Sequence, residues 1–308
     1  MRLAEIEHRV GSLSELSRIV SAMRSIASMR VQEAALTLPS VREYGAQLAE
    51  ALHDALAIVA DRSHGVGGED FSSVARSAPQ QSTNPYDEGR ALVIFMSEHG
   101  FVGGFNERLM TAAGSDLNRS VRLFILGARG AALVEERGYE ATWSQSMALR
   151  LGGISHTVRC LQERLYPLIA SGGITHVEVI FGRYQRGVAP EIERAPLFPL
   201  ALPAIRTRDR RAVSPLHNLP GAQLIERLTA EYLLAQLTEA ATESLAAENG
   251  ARFAAMESGH DHISRRLGAL HLEASRARQE EITTELLDLV IGVEAQGAFG
   301  EPESHAPT

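Results

Sequence analysis

Two proline-free stretches, one at each end of the chain, most constrain how it can fold. Residues 1–38 and 221–301 contain no proline, and both are rich in Ala, Leu, Arg and Glu, which favour helices. A single helix over residues 221–293 would be about 110 Å long at 1.5 Å per residue, longer than a globular domain of this chain. Such a helix needs another helix or a partner assembly alongside it. The two ends therefore predict a helical shaft carried on a small globular body.

The apolar patterns of the two ends favour a coil of two helices. Apolar residues alternate at spacings of three and four from Leu3 to Leu13, a heptad-like seam. Pro39 is expected to interrupt this helix, with a second helical stretch over residues 41–60. The last helix is expected to begin near Pro220, and its apolar face thins beyond Leu245. A narrow apolar face fits a coiled coil better than a globular core.

The middle of the chain predicts an α/β domain. Two continuous apolar runs and a third segment with alternating apolar residues, each of strand length, are separated by helical patterns. This order indicates βαβ units and a mainly parallel sheet. The segment 196–203 contains several prolines and predicts an edge strand or an extended connection. The predicted strands are 91–97, 121–127 and 175–185, and the predicted helices are about 106–117, 128–138 and 154–171.

These patterns divide the chain into six predicted regions. Composition marks the boundaries, because Gly, Ser, Pro and Gln dominate the predicted loop and Arg and Pro the predicted linker. The regions are an N-terminal coiled-coil helix region 1–60, a flexible loop 61–89, an α/β domain 90–205, a linker 206–220, a C-terminal coiled-coil helix 221–296 and a disordered tail 297–308.

Composition excludes several classes of function. The formal net charge is −8, which argues against general nucleic-acid binding. All 30 basic residues are Arg, so neither a P-loop lysine nor a lysine Schiff base is possible. The single cysteine, Cys160, rules out an internal disulfide and fits a reducing compartment. No apolar run reaches 18 residues, and the charged N-terminus lacks the apolar segment of a secretory signal.

A glycine-containing loop is the strongest candidate for a ligand site. Gly100, Gly103 and Gly104 follow a predicted strand and precede a predicted helix, the context of phosphate binding. Their spacing is not G-x-G-x-x-G, however, and a tight structural turn is the favoured interpretation. The alternative is a nucleotide-dependent α/β enzyme with a dimerising coiled coil. His260 and His262 lie on opposite sides of a helix and do not indicate a metal site, so we expect neither metal nor cofactor.

Four segments, in the same order along the chain, resemble the gamma subunit of F-type ATP synthases. The C-terminal run 276–295 carries the most specific match, with Arg278 and Gln279 followed by Ile282, Thr283, Glu285, Asp288 and Gly292. Residues 243–259 resemble the family's stretch just upstream. Residues 18–30 resemble its first helix, with Met23, Arg24 and Arg30 aligned, and SEHGFVGGFN over 97–106 resembles its glycine loop. Ser275, Val293, His99, Phe101 and the acidic charge depart from the family pattern and favour a divergent member, such as one from an alternative F-type ATPase.

The resemblance implies a fold and a function. The implied fold is a long antiparallel coiled coil of the N- and C-terminal helices plus a Rossmann-like α/β domain. The implied function is that of a non-catalytic central-stalk rotor subunit, which couples ion flow (proton or sodium) through a membrane ring to ATP synthesis or hydrolysis. The implied partners are the alpha and beta subunits of the catalytic hexamer, the epsilon subunit and the c-ring, at the cytoplasmic face of the bacterial inner membrane. The residues implied to make coupling contacts are Met23, Arg24, Arg30, Arg276, Arg278, Gln279, Thr283 and Glu285.

Overall fold

The computed structural model describes residues 3–63, 89–118, 121–185, 188–200 and 217–297. These residues belong to two compact units, residues 25–255 and residues 1–24 with 256–308. The two longest helices contribute to both units. The elements are α1 Leu3–Ser63, β1 Arg90–Phe95, α2 Phe105–Ala113, β2 Arg122–Leu126, α3 Ala128–Glu136, β3 Trp143–Gln145, α4 Leu151–Ala170, β4 His176–Arg183, β5 Glu191–Phe198 and α5 Gly221–Gly297, with a 3-10 turn at Gly114–Asn118.

The unit of residues 25–255 contains a five-stranded sheet in the order β3-β2-β1-β4-β5. The first four strands are parallel, with Val93 of β1 opposite Phe124 of β2 and Val179 of β4. Strand β5 pairs antiparallel with β4 at the edge. The predicted mainly parallel sheet is confirmed, because continuous apolar runs suit strands that are covered on both faces.

Side chains alternate along β1 between two apolar cores. Ala91, Val93 and Phe95 face a core formed with α4 and with residues 233–245 of α5. Leu92, Ile94 and Met96 face a second core, formed mainly with α2 and α3. Helices therefore cover both faces of the sheet, which is the three-layer arrangement of α/β proteins. We refer to this sheet with α2, α3 and α4 as the body.

Helices α1 and α5 pack antiparallel within the unit of residues 25–255. Arg42 forms ion pairs with Glu239 (3.2 Å) and with Glu243. Further along α1, Ala49 and Leu52 pack with Tyr232, which precedes both glutamates in α5. Partners therefore come earlier in α5 as the position in α1 increases, as an antiparallel pair requires.

The same two helices also run antiparallel in the unit that contains both chain ends. Val20 packs with Met256 and Ile263, and Arg24 Nη1 lies 3.0 Å from Glu257 Oε2. Nearer the N-terminus, Glu7 pairs with Arg278 at 2.6 Å. The antiparallel coiled coil of the terminal helices is confirmed. Among the described residues of this unit, the apolar cluster between the two helices is completed by Leu13, Met23 and Leu267.

Several predicted boundaries differ from those of the structure. Helix α1 contains Pro39 and continues to Ser63, so the predicted interruption is wrong. Buried residues on both sides of Pro39, including Ala34, Leu38 and Ala49, hold the helix together where proline alone would break it. The predicted loop starts no earlier than residue 64, and Gly297 still belongs to α5. The predicted loop over 64–88, the end of the predicted α/β domain over 201–205, the predicted linker over 206–216 and the predicted tail over 298–308 lie outside the described residues.

Strands β3 and β5 show where apolar runs fail as signals. Strand β3 has only three residues and was not predicted. Strand β5 begins at Glu191, upstream of the predicted segment 196–203. Its first residues are charged, because an edge strand exposes one side to water. Arg194 of β5 ties this edge to Glu178 of β4, with Nε 3.0 Å from Oε1.

Candidate functional site

The carboxyl ends of β1 and β4 are the place where an open α/β sheet usually binds a ligand. In the order β3-β2-β1-β4-β5, the chain leaves β1 toward one edge and reaches the other edge through β4. A crevice for ligands forms at such a switch in strand order. The glycine loop that follows β1 opens onto the same end of the sheet. Any ligand chemistry carried by the body is therefore expected here.

Helix α5 fills this position with its own side chains. Ser244 Oγ donates a hydrogen bond to the Phe95 carbonyl at 2.9 Å and accepts one from the Gly182 N–H at 3.5 Å. The adjacent Glu243 accepts a hydrogen bond from the Tyr184 N–H at 3.3 Å. Every residue from 241 to 249 is buried. The polar groups at the strand ends are thus bonded to protein, and the arrangement does not favour the alternative of a nucleotide-dependent enzyme.

The glycine loop is held in place from two sides. Asn106 Oδ1 accepts from the Ser97 N–H at 3.0 Å, and its Nδ2 donates to Ser97 Oγ at 2.7 Å. Gly103 has φ of +56°, the left-handed region that glycine adopts without strain. Gly100 and Gly104 have open space where a Cβ would be, so neither is required for close packing. On the helix side, Arg252 donates to the carbonyls of His99 and Gly100 at 3.3 and 3.4 Å.

A buried ion pair braces the arginine that holds the loop. Arg252 Nη2 lies 2.6 Å from Glu248 Oε1, and the two side chains are 8% and 4% exposed. Burial raises the pKa of Glu248 above its ordinary value, although Arg252 and the Glu98 backbone N–H oppose the rise. Asn249 Oδ1 accepts a further hydrogen bond from Arg252 at 3.3 Å. We call Glu243, Ser244, Glu248, Asn249 and Arg252 the strand-end clamp.

Sequence reasoning did not identify the strand-end clamp. The thinning of the apolar face beyond Leu245 predicts a two-helix coil, yet residues 246–249 are buried. Ala246 and Ala247 have 0% exposure and bring the helix close to the sheet. A signal was present, since glutamate and arginine four residues apart among alanines can form a braced pair. Nothing in the sequence, however, shows that residues 95–100 lie against residues 244–252.

The predicted coupling residues are not gathered at a single place. Arg276, Gln279 and Thr283 line one shallow groove on α5, and Glu285 is exposed further along the helix. The Thr283 hydroxyl donates to the Gln279 carbonyl at 2.7 Å. Met23 packs beside Val20 in the small apolar cluster of this unit.

Three arginines of the predicted set are placed differently. Arg24 pairs with Glu257 at 3.0 Å, and Arg278 pairs with Glu7 at 2.6 Å rather than facing the groove. Arg30 belongs to the unit of residues 25–255 and is half-buried. These two ion pairs show that part of the predicted contact set also joins α1 to α5.

Among the described parts of the chain, no helix combines the length and apolar character needed to cross a membrane. Within the same residues, no three His, Cys, Asp or Glu side chains are grouped closely enough to hold a metal ion.

Comparison with known proteins decides the family. The sequence profile of the ATP synthase family matches residues 2–296. The chain is 26% identical over 305 residues to the ATP synthase gamma chain of Chlorobium luteolum, covering 95% of this chain and 98% of that protein. It is 24% identical to the ATP synthase gamma chain of Gluconobacter oxydans, with 95% and 99% covered.

The chain belongs to the ATP synthase gamma-chain family. The resemblance seen in the sequence is therefore confirmed, and so is the function that it implies. A gamma chain is a central-stalk rotor subunit and is not itself the catalyst.

Solved structures agree in fold. In mitochondrial ATP synthase from Euglena gracilis (OSCP/F1/c-ring), a chain matches with a TM-score of 0.59 and 13% identity, covering 99% of both chains. A chain of the central stalk and c-ring of Tetrahymena thermophila mitochondrial ATP synthase matches with a TM-score of 0.51 and 16% identity, covering 78% of this chain and 99% of that one. The gamma chain fold, with paired terminal helices and an α/β body, is the one predicted.

Proposed function

We propose that this gamma chain couples rotation to catalysis through the C-terminal end of α5, which turns inside a hexamer of alpha and beta subunits. In this proposal the coiled-coil regions 1–60 and 221–296 form the shaft. The α/β domain 90–205 docks on the epsilon subunit and on the c-ring, at the cytoplasmic face of the bacterial inner membrane. The bacterial sources of related gamma chains and the c-ring in the assemblies with similar chains support this placement.

The observation that carries the proposal is the exposure of α5 near its end. Every residue from 278 to 291 is exposed. Leu286, Leu289 and Ile291 are between 57% and 65% exposed, although an isolated helix gains nothing from such side chains in water. Contiguous exposed apolar surface marks an interaction site, and each Å² that a partner covers contributes about 25 cal/mol. The surrounding hexamer is the partner that a gamma chain offers this surface to.

Polar residues beside this apolar end suit contacts that break and re-form. The groove residues Arg276, Gln279 and Thr283 present donors and acceptors to water, and Glu285 adds an exposed carboxylate. Hydrogen bonds are directional and contribute only about 0.5–1.5 kcal/mol each net. They can therefore favour particular rotational positions of the shaft and still break as it turns. Arginine adds bidentate bonding to carboxylates. We assign Met23, Arg24, Arg30 and Arg278 to the same contact set, on the basis of the family resemblance.

The proposed mechanism is a bias on the hexamer. An asymmetric shaft presents a different surface to each of the surrounding catalytic sites, and each site then favours a different nucleotide affinity. A partner that binds conformations unequally shifts the population among them. The coupling is reciprocal, so ATP hydrolysis can turn the shaft and a turning shaft can drive synthesis.

The decisive experiment changes the groove and leaves the body untouched. Replacing Gln279 and Thr283 together by Val should lower ATP hydrolysis and ATP-driven ion transport in vesicles that contain the reconstituted complex. The control is the double replacement of Gln47 and Thr111 by Val, the same chemical change at exposed helical positions of the other unit. The control should retain both activities. Unchanged hydrolysis and transport in the groove variant would remove these residues from the coupling mechanism.

A further inference from the structure

The strand-end clamp is an unusual way to attach a helix to a sheet. Helix α5 already contributes apolar residues such as Leu233, Leu237 and Leu245 to the core of the body. The clamp adds charged and polar side chains in the most buried part of the helix. Burying an ion pair costs desolvation that its attraction often fails to repay, so it is weak evidence of a stabilising role. The clamp therefore calls for another explanation, and the directional character of its hydrogen bonds supplies one.

Apolar packing alone allows a helix to slide or roll on a sheet at small cost. Apolar contacts have no preferred direction, whereas a hydrogen bond weakens steeply as its angle departs from linear. The clamp has bonds at both ends of a short segment of α5. Ser244 is bonded to the ends of β1 and β4, and Arg252 is bonded to the loop after β1. Two fixed points, eight residues apart along the helix, oppose both sliding and rolling.

The clamp is also braced from within and closely packed. Glu248 and Asn249 hold the Arg252 guanidinium at 2.6 and 3.3 Å. A Cβ on Gly182 of β4 would lie 2.7 Å from the Ala247 Cβ, so the strand and the helix approach as closely as they can. On the other side of α5, Arg42 of α1 forms its ion pair with Glu243. The clamp therefore joins the sheet, the loop after β1 and both long helices.

We propose that the strand-end clamp is the torque-bearing joint of this gamma chain, with Arg252 and Glu248 as positioning residues that fix the angle between the body and helix α5. The inference rests on the proposed function, since a joint carries torque only in a rotor. Loosening the joint leaves the contacts of α5 with the hexamer unchanged. It lets the body twist relative to α5, so that only part of the rotation of the body is transmitted through α5 to the hexamer.

Two variants loosen the joint while avoiding an unpaired buried charge. The double variant Glu248→Gln with Arg252→Gln removes both charges together, which avoids the large penalty of leaving one alone. The single variant Arg252→Lys keeps a cation beside Glu248 but lacks the planar fork of donors that reaches two loop carbonyls. A destabilised control without a joint defect is Val158→Ala, which removes buried volume from α4. Trp143, the single tryptophan, reports by its fluorescence whether the body is folded.

The experiment compares stiffness and coupling in the complex assembled with alpha and beta subunits. A bead attached through Cys160 of α4, the single cysteine of this chain, reports the angle of the body while the hexamer is fixed to a surface without nucleotide turnover. We expect the clamp variants to show wider angular fluctuations than the unmodified chain. In vesicles they should lose ion transport while ATP hydrolysis is retained. The Val158→Ala control should match the unmodified chain in both respects, despite a lower melting temperature.

Each result distinguishes this inference from the proposed function. An unmodified chain that supports no coupled transport would overturn both. Coupled transport by the unmodified chain, with clamp variants equally stiff and equally coupled, would overturn the joint alone. Fluctuations that widen as much in Val158→Ala as in the clamp variants would assign the effect to lost stability and also overturn it. Should the double variant fail to fold, Arg252→Lys decides by the same two readouts.

Discussion

Two segments of the same helix, α5, have opposite environments. Residues 241–249 are all buried, and residues 278–291 are all exposed. The buried segment contains glutamate, asparagine and threonine, whereas the exposed one contains six Leu, Ile and Val residues. Each segment therefore contains residues that depart from the usual pattern of apolar inside and polar outside. Polar groups are buried where strand ends need hydrogen bonds, and apolar groups are exposed where a partner is needed.

The comparison shows that the two segments are stabilised by different means. The first is stabilised by the core of its own body, and substitutions there should act on the free chain. The second gains most of its stabilisation in the assembled complex, because a ligand or partner that binds only the native state stabilises it by mass action. Matched substitutions in the two segments can therefore separate folding from assembly.

The largest difference is expected from the same truncation in both segments. Leu245 is 2% exposed and Leu289 is 65% exposed. Leu245→Ala should destabilise the free chain by about 2–5 kcal/mol, because it leaves a cavity in the core. Leu289→Ala should change the stability of the free chain by less than about 0.5 kcal/mol. Urea unfolding followed by Trp143 fluorescence measures both. Equal losses for the two variants would mean that the exposed segment is packed in the free chain.

Glycine substitutions should give opposite signs in the two units. A Cβ on Gly182 would lie 2.6 Å from a ring carbon of Phe105, so Gly182→Ala should overpack the core and destabilise by about 1–3 kcal/mol. Gly259 lies within α5 and would meet nothing within 4 Å. Gly259→Ala should raise helix stability by about 0.5–1 kcal/mol. Thermal unfolding followed by circular dichroism distinguishes them, and a stabilising Gly182→Ala would contradict the close contacts of β4 with Phe105 of α2 and Ala247 of α5.

The smallest difference in stability cost is expected from breaking one ion pair in each unit. Arg194 holds the pKa of Glu178 below its ordinary value of 4.5, with help from Arg90. Because the folded pKa is lower than the unfolded one, this stabilisation is complete above pH 4.5 and is lost as pH falls through the folded value. Glu178→Gln should cost about 1 kcal/mol at pH 7, since both side chains are partly exposed, and the cost should disappear in acid.

The matched change at the other end is Glu7→Gln, which breaks the exposed pair with Arg278. It should alter stability by less than about 0.5 kcal/mol, and added salt should reduce the effect further. Urea titrations at several pH values measure both variants. The raised pKa of Glu248 changes stability with pH in the opposite direction. This change is the same in the variant and the unmodified chain, so it cancels when their stabilities are subtracted. A cost of Glu178→Gln that does not decrease as the pH is lowered from 7 to below 4.5 would show that it does not arise from charge pairing.

Much of this fold follows from local patterns, and the clamp does not. Strands β1 and β2 are predictable because each is a continuous apolar run covered on both faces. Strand β4 is predictable from the alternation of its apolar residues. Strand β3 is too short to leave a pattern, and the continuation of α1 through Pro39 depends on its packing against α5. The clamp consists of Glu, Ser, Asn and Arg residues, which in a sequence look the same as the exposed surface of a helix. Only the topology shows that they meet strand ends almost 150 positions earlier in the chain.

The contribution of α5 to the core has a consequence for biosynthesis. Ser244 bonds to the Phe95 carbonyl, 149 residues earlier, and Leu237 and Leu245 complete one side of the sheet. A ribosome makes all five strands and α4 before it makes these residues, so the part of one apolar face that α5 covers stays exposed for a few seconds at roughly 5–20 residues per second. The core of the body is completed by α5, the helix that follows it in the chain. A chain that stops before residue 245 therefore leaves the ribosome as an incomplete, sticky product, although all of its strands are present.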